Sequence, residues 1–226
     1  MLSENKFSKY LLYAIGEIVL VVIGILIALS INNSNEKHKL HDQVTTQLKL
    51  LSIELSDDIA IYEQKIDIYP YSIRYLKDLS IGNYEELDLS EFESIVAGND
   101  IEILFGDSYR VLKNSGGINE IKNESLKKNL GAYNNLGRMK LNVLLAYGLS
   151  SSLAFLDESV LSYMEYDTSN TLVRDNTINV IKEKSLNNII NLQLQRNIQI
   201  LESYKETNEY AKKLKEQLDG YIETRE

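Results

Sequence analysis

The sequence predicts an all-α protein whose N-terminal transmembrane helix continues into a helical-bundle domain outside the membrane. The run at 10–31, YLLYAIGEIVLVVIGILIALSI, contains one ionisable residue, Glu17. As a helix it is roughly 33 Å long, enough to cross the roughly 30 Å hydrocarbon core of a bilayer. Beyond it, apolar residues recur three or four positions apart, which is the spacing of amphipathic helices, and no segment shows sustained β-strand alternation.

The predicted span divides the chain into three parts: a short cytoplasmic tail (1–9), a transmembrane helix (10–32) and a helical extramembrane domain (33–226). The apolar stretch is longer than that of a cleaved signal peptide, and no Ala-x-Ala pattern follows it, so we predict an uncleaved anchor.

Lysines flank the span equally on its two sides: Lys6 and Lys9 before it, Lys37 and Lys39 after it. The amino terminus adds a positive charge to the first side, which favours a cytoplasmic N-terminus under the positive-inside rule. We therefore expect a bacterial inner-membrane protein whose C-terminal domain is periplasmic.

The first helix of the domain is predicted from one apolar stripe, formed by Val44, Leu48, Leu51, Leu55, Ile59, Tyr62, Ile66 and Tyr69. No Pro or Gly lies between 32 and 44, so the transmembrane helix is expected to continue into this one as a single rod. Pro70 lacks a backbone donor and clashes with the preceding turn. We predict a kink or break there, with a separate short helix extending to Leu79.

Short helices are predicted next from their capping residues. Ser90 and Glu93 match a capping box, in which each side chain satisfies a free N–H group at a helix start. Asp107 is expected to cap a second short helix at 108–114, and Gly116 stands where a left-handed helix cap is usually found.

Two long helices complete the prediction. Asn123 opens the first of them, and the second runs from about Ser185 to Tyr221. The polar stretch at 166–176 between them is expected to be a long loop. Three long helices with short ones between them favour an up-and-down bundle, because that arrangement buries all of the apolar stripes.

Composition excludes several functions. The net charge is −9 and no run of Lys or Arg could follow a phosphate backbone, so nucleic acid is not an expected partner. Cysteine is absent, which excludes disulfides and thiolate catalysis. The chain has two histidines and no Gly-x-Ser-x-Gly elbow. We therefore predict that the protein is not an enzyme and uses no cofactor.

Glu17 raises the question of why a carboxyl group lies within the span. Intramembrane carboxyls cost about 2.5–3.5 kcal/mol on insertion scales and usually face a partner. Gly24 and Ala28 follow it by seven and eleven positions on the same helical face, with Gly16 at the side. Such small residues let two helices approach closely. We predict that these four residues, the Glu17 face, mediate helix association; the alternatives are a neutral carboxyl that snorkels to one interface, and proton or ion handling.

Three weaker candidates lie outside the span. His38, His41 and Asp42 share a helical face with metal-ligand spacing, although a solvated surface is the favoured interpretation. The Ser-Gly-Gly turn at 115–117 could hold an anion on successive N–H groups, but a simple helix stop is favoured. Asn197 falls on an apolar stripe, where a polar residue most often fixes register or oligomeric state and less often contacts a ligand.

Residues 9–33, KYLLYAIGEIVLVVIGILIALSINN, resemble the opening of an uncharacterised family of single-pass membrane proteins from flavobacteria and related Bacteroidota. Residues 108–130, SYRVLKNSGGINEIKNESLKKNL, resemble its second signature, a Ser-Gly-Gly turn between two helices. The resemblance implies a helical ectodomain on one anchor and carries no activity or ligand.

These observations together predict a non-enzymatic structural or interaction protein. It would self-associate as a homo-oligomer or bind a partner membrane protein. The alternative is a periplasmic helical sensor domain that binds a small ligand and signals through a partner subunit.

Overall fold

A computed structural model describes residues 4–85, 87–97, 106–137, 140–146, 164–169 and 171–225. Throughout these ranges the fold is all-α, as predicted. The one extended pairing recorded there is an isolated antiparallel bridge between Tyr166 and Leu172.

The dominant element is α1, a single helix from Glu4 to Ile81. Its 78 residues correspond to a rod of about 117 Å at about 1.5 Å per residue. The helix crosses the predicted membrane boundary at residue 32 without interruption. The predicted single rod is therefore confirmed.

Pro70 lies inside α1, and the predicted break at this residue is wrong because the helix continues to Ile81. Packing on both sides explains the continuity. Tyr69 is buried in one hydrophobic cluster, and Leu76 and Leu79 are buried in another. Burying these side chains outweighs the cost of about 3 kcal/mol for proline within a helix.

The remaining α-helices are α2 (Phe92–Ala97), α3 (Ser108–Asn114), α4 (Glu124–Ala132), α5 (Arg174–Lys182) and α6 (Lys184–Glu223). Two 3₁₀ turns, Leu89–Glu91 and Gly117–Glu120, precede α2 and α4. A π-helix, Tyr133–Gly137, extends α4, and residues 140–146 are again helical. The predicted loop at 166–176 is too long, because α5 begins at Arg174.

The caps agree with the sequence at one position and differ at another. Asn123 caps α4 as predicted, because its side chain accepts a hydrogen bond from the Leu126 N–H at 3.0 Å. Ser90 does not begin a helix. Asp88 is the cap, and its carboxylate accepts from the N–H of Ser90 at 2.9 Å.

Asp107 occupies the N-cap position of α3, as predicted, but its side chain makes no capping hydrogen bond. The side-chain cap comes from another helix. Glu54 on α1 accepts from the backbone N–H of Ser108 at 3.0 Å and from its hydroxyl at 2.6 Å. A long-range carboxylate thus ties the start of α3 to α1.

The core forms where α1 and α6 pair in antiparallel orientation. Three contacts follow the pair from one end to the other: Ser52 to Asp219 at 2.5 Å, Glu63 to Lys212 at 2.7 Å, and the rings of Tyr69 and Tyr204 at 5.6 Å. The buried positions of α1 from Val44 to Tyr69 are alternately four and three residues apart, which is typical of coiled-coil packing. One hydrophobic cluster joins this pair to α3 and α4, and a second joins it to α2 and α5.

Candidate functional site

The N-terminal part of α1 stands clear of the bundle. Every residue from 10 to 39 is exposed, and the run at 10–31 contains one ionisable residue, Glu17. The helix is therefore long and apolar enough to cross a membrane.

The structure places the Glu17 face on one uncovered surface of this helix. Gly16, Glu17, Gly24 and Ala28 are all exposed. A methyl group added at Gly16 or Gly24 would meet no atom within 4 Å. Within the described part of the chain, no residue packs against these glycines, so the face is open to another molecule.

The bundle lies on the opposite side of α1 from the Glu17 face. Val44, the first buried residue of the core, follows Glu17 by about seven and a half helical turns at 3.6 residues per turn, which places it on the far side. Ile53 follows Glu17 by about ten turns, on the same side, and is 58% exposed. Leu50 beside it is 44% exposed. This bare side of α1 continues from the span into the domain.

A second candidate site is a buried polar network inside the bundle, formed by Asp58, Tyr62 and Tyr133. The hydroxyl of Tyr133 donates to the Asp58 carboxylate at 2.5 Å and lies 2.9 Å from the hydroxyl of Tyr62. Both tyrosines are essentially inaccessible, and Asp58 is 4% exposed. Lys65 lies seven positions after Asp58 and is 5% exposed, so two ionisable residues occupy the core stripe of α1.

Sequence reasoning missed this network, although a signal was present. Asp58 stands three positions after Leu55 and four before Tyr62, which is a core position of the α1 stripe. Ile59 was assigned to the stripe in its place because of its hydropathy, and it is only partly buried. The π-helix that begins at Tyr133 had no sequence signal, although such turns often occur at functional sites.

The network also shifts the pKa of the Tyr133 phenol. Burial raises the pKa of Tyr133 far above its usual value, and the nearby Tyr62 and Asp58 raise it further. A raised pKa keeps the phenol neutral, so its hydroxyl remains a hydrogen-bond donor to Asp58 across the physiological range. The arrangement holds a proton in place between α1 and α4.

We expect the raised pKa of Tyr133 to make the folded protein less stable at alkaline pH. Below pH 10 both folded and unfolded states keep the phenolic proton, and the stabilisation is fully present. Above about pH 10 the unfolded chain loses this proton while the folded protein retains it, so stability falls by about 1.4 kcal/mol per pH unit. Unfolding of the full chain in detergent at pH 9, 10 and 11 should show a shallower decline for Tyr133→Phe. An identical decline in both proteins would contradict this expectation.

His41, one of the candidate metal ligands, makes a structural contact. His41 lies against the end of α6, with its Nδ1 3.1 Å from an Arg225 guanidinium nitrogen. Arg225 also donates to the hydroxyl of Thr45 at 3.0 Å. Across the described ranges, no group of three or more His, Asp or Glu residues is arranged to hold a metal ion.

The Ser-Gly-Gly turn has the structural role that was favoured. Gly116 adopts the predicted left-handed conformation, with φ of 77°. The two glycine N–H groups are already engaged, that of Gly116 by the Lys113 carbonyl at 3.2 Å and that of Gly117 by the Ser115 hydroxyl at 3.4 Å. These N–H groups are therefore not free to bind an anion.

Asn197 is half-buried on α6, in line with the buried residues Gln193 and Ile200. Its predicted place on the stripe is confirmed, and its role in register stays a prediction.

Comparisons with protein-family models, curated proteins and solved structures find no match. Any assignment of function therefore depends on the arrangement of the residues that the structure describes. It offers an uncovered helix face, a buried proton-holding network and, at the domain end farthest from the span, a cavity beside α1 lined by both charged and aromatic residues.

Proposed function

We propose that this protein is a membrane-anchored, non-enzymatic interaction protein that self-associates through α1. In this proposal the N-terminus lies in the cytoplasm, residues 10–32 cross a bacterial inner membrane, and the bundle is periplasmic. The observation that carries the proposal is the uncovered Glu17 face on a helix that runs without interruption into the domain core.

The chemistry of the face supports association between helices. In lipid there is no hydrophobic drive for helices to pair, so close packing and interhelical hydrogen bonds stabilise the pair. Gly24 and Ala28 permit the close approach, and Glu17 supplies a group that gains from a hydrogen-bond partner in hydrocarbon.

The geometry outside the span also supports a symmetric pair. Because the bundle packs on the far side of α1, two copies that meet through their Glu17 faces carry their bundles outwards. The bare side of each α1 then faces the other copy, and it carries the exposed apolar residues Leu50 and Ile53. A partner membrane protein with a similar helix face could occupy the same position.

Cross-linking in native membranes tests the proposal. Gly24→Leu fills the close-approach position, and Glu17→Gln removes the acidic group. We expect Gly24→Leu to weaken association by about 1 kcal/mol or more, roughly fivefold. Val19→Leu is the matched control, because Val19 lies on the opposite side of the helix and is also exposed. If both face variants cross-link as fully as the parent protein, the self-association proposal fails.

The sensor function is a second candidate, favoured by one observation. A cavity of about 340 Å³ lies against α1 between Tyr71 and Asp78, on the same helix that contains the candidate membrane span. A ligand bound there would contact the element that reaches the bilayer.

A further inference from the structure

The cavity near the end of α1 has one helical wall and one loop wall. Tyr71, Arg74, Tyr75 and Asp78 line it from α1, and Asn83, Leu87 and Asp88 line it from the loop that follows. Its volume of about 340 Å³ is in the range of small-molecule sites, which is about 300–1,000 Å³. We call it the distal cavity.

The loop wall is fixed by hydrogen bonds from two helices. Arg174, the first residue of α5, donates to three loop carbonyls, those of Tyr84, Glu85 and Leu87. The hydroxyl of Tyr75 donates to the carbonyl of Asp88 at 2.8 Å. These bonds hold both walls in place, so the cavity is preformed.

Two opposite charges face this cavity without pairing. Arg74 and Asp78 lie one helical turn apart on α1, a spacing at which two opposite charges can form an ion pair. Among the residues that the structure describes, however, no ion pair joins these two side chains. Arg74 lies over the ring of Tyr71, with 5.5 Å from its guanidinium carbon to the ring centroid. Asp78 accepts one long hydrogen bond of 3.4 Å, from Asn83.

The other carboxylate of the cavity, that of Asp88, is engaged through one of its two oxygens. Its Oδ1 accepts from the N–H of Ser90 at 2.9 Å and from the Ser90 hydroxyl at 2.7 Å. These hydrogen bonds lower the pKa of Asp88. Arg74 therefore has donors left for a ligand carboxylate, and Asp78 and the second oxygen of Asp88 have acceptors left for a ligand ammonium group.

We propose that the distal cavity binds a free α-amino acid with an apolar side chain. The Arg74 guanidinium binds the ligand carboxylate, for which its planar fork is suited. The Asp78 carboxylate binds the ligand ammonium group. The two charged groups of the ligand are bonded to one carbon, which suits two charged side chains that are neighbours one helical turn apart. Tyr71, Tyr75 and Leu87 supply an apolar wall for the side chain. A simple anion would face Asp78 and a simple amine would face Arg74, so only the zwitterion satisfies both.

Calorimetry on the full chain in lipid nanodiscs tests this inference. The probes are L-leucine and L-phenylalanine, with 4-methylpentanoate and 3-methylbutylamine as leucine analogues that lack one charge each. We expect both amino acids to bind and both analogues to bind at least tenfold more weakly. The inference is wrong if neither amino acid binds at millimolar concentration, or if an analogue binds as well as L-leucine.

Substitutions locate the binding. Arg74→Gln and Asp78→Asn should each weaken L-leucine binding at least tenfold and leave the unfolding temperature of the ligand-free protein unchanged. Lys77→Gln is the matched control, because Lys77 is exposed on the same turn and does not line the cavity. Unchanged affinity in both cavity variants would overturn the assignment.

The inference is independent of self-association. Gly24→Leu should weaken cross-linking roughly fivefold and retain L-leucine binding, so failure of either proposal is visible without the other. Amino-acid binding would supply the ligand that the sensor function requires.

Discussion

Replacing Gly117 with alanine is expected to lower the free energy of unfolding by about 1–3 kcal/mol, as overpacked core substitutions do. A Cβ atom at Gly117 would lie 2.9 Å from Cδ1 of Leu112 and 2.9 Å from Cγ2 of Val44. Both neighbours are buried, and Val44 is β-branched and fixed on α1, so neither has room to move away. Valine at this position should cost more than alanine.

Gly220→Ala is the matched control and should have the opposite sign. Gly220 lies within α6, and an added methyl group there would meet nothing within 4 Å. Alanine in a helix interior is favoured over glycine by about 0.5–1 kcal/mol, so this variant should be more stable. Chemical unfolding of the three proteins in the same detergent provides the comparison. If Gly117→Ala is as stable as the parent protein, the neighbouring side chains move aside without cost and the prediction is wrong.

Tyr133→Phe is expected to lower the free energy of unfolding by about 2–3 kcal/mol. The substitution removes the hydroxyl that donates to the buried Asp58 carboxylate and that contacts Tyr62. Loss of a donor to a buried acceptor costs the desolvation of that acceptor, about 1–3 kcal/mol and more when it is charged.

A double-mutant cycle assigns this loss to the network. Asp58→Leu removes the acceptor, so Tyr133→Phe should cost at least about 1 kcal/mol less in that background, the coupling typical of residues in direct contact. Tyr210→Phe is the matched control, because Tyr210 stacks on Tyr133 at 6.2 Å and its own hydroxyl makes one neutral bond of 3.2 Å to the Asn129 carbonyl. Additive effects of the two network substitutions would exclude the coupling.

The sequence predicts helical periodicity and helix caps correctly where neighbouring residues in the chain determine them. The apolar stripe that begins at Val44, the cap at Asn123 and the left-handed Gly116 follow from spacing and from the chemistry of single residues. The missing side-chain bond of Asp107 and the unbroken helix at Pro70 depend on distant contacts. Glu54 reaches Ser108 from another helix, and the two hydrophobic clusters pack on α1 on both sides of Pro70, where the helix continues.

The candidate sites also differ in whether neighbouring or distant residues form them. The Glu17 face depends only on helical spacing, so the sequence predicts its geometry. The polar network needs Tyr133, which is 75 positions from Asp58, to reach the same point in space. The distal cavity depends on Arg174, which lies about 90 positions beyond the loop it holds, and no local pattern indicates such a contact.

With residues 10–32 in the membrane, as proposed, the uninterrupted α1 would link the bilayer to the domain mechanically. Glu17 and Arg74 lie about 85 Å apart along one helix, with no loop between them to absorb torsion. Rotation of the proposed membrane span about its own axis would therefore turn the domain by a similar angle. In the proposed pair, two copies joined through their Glu17 faces would hold their bundles farthest apart, and half a turn of each helix would bring the bundles towards each other. The rotation of one helix about its axis in the membrane would thereby set the distance between two domains outside it.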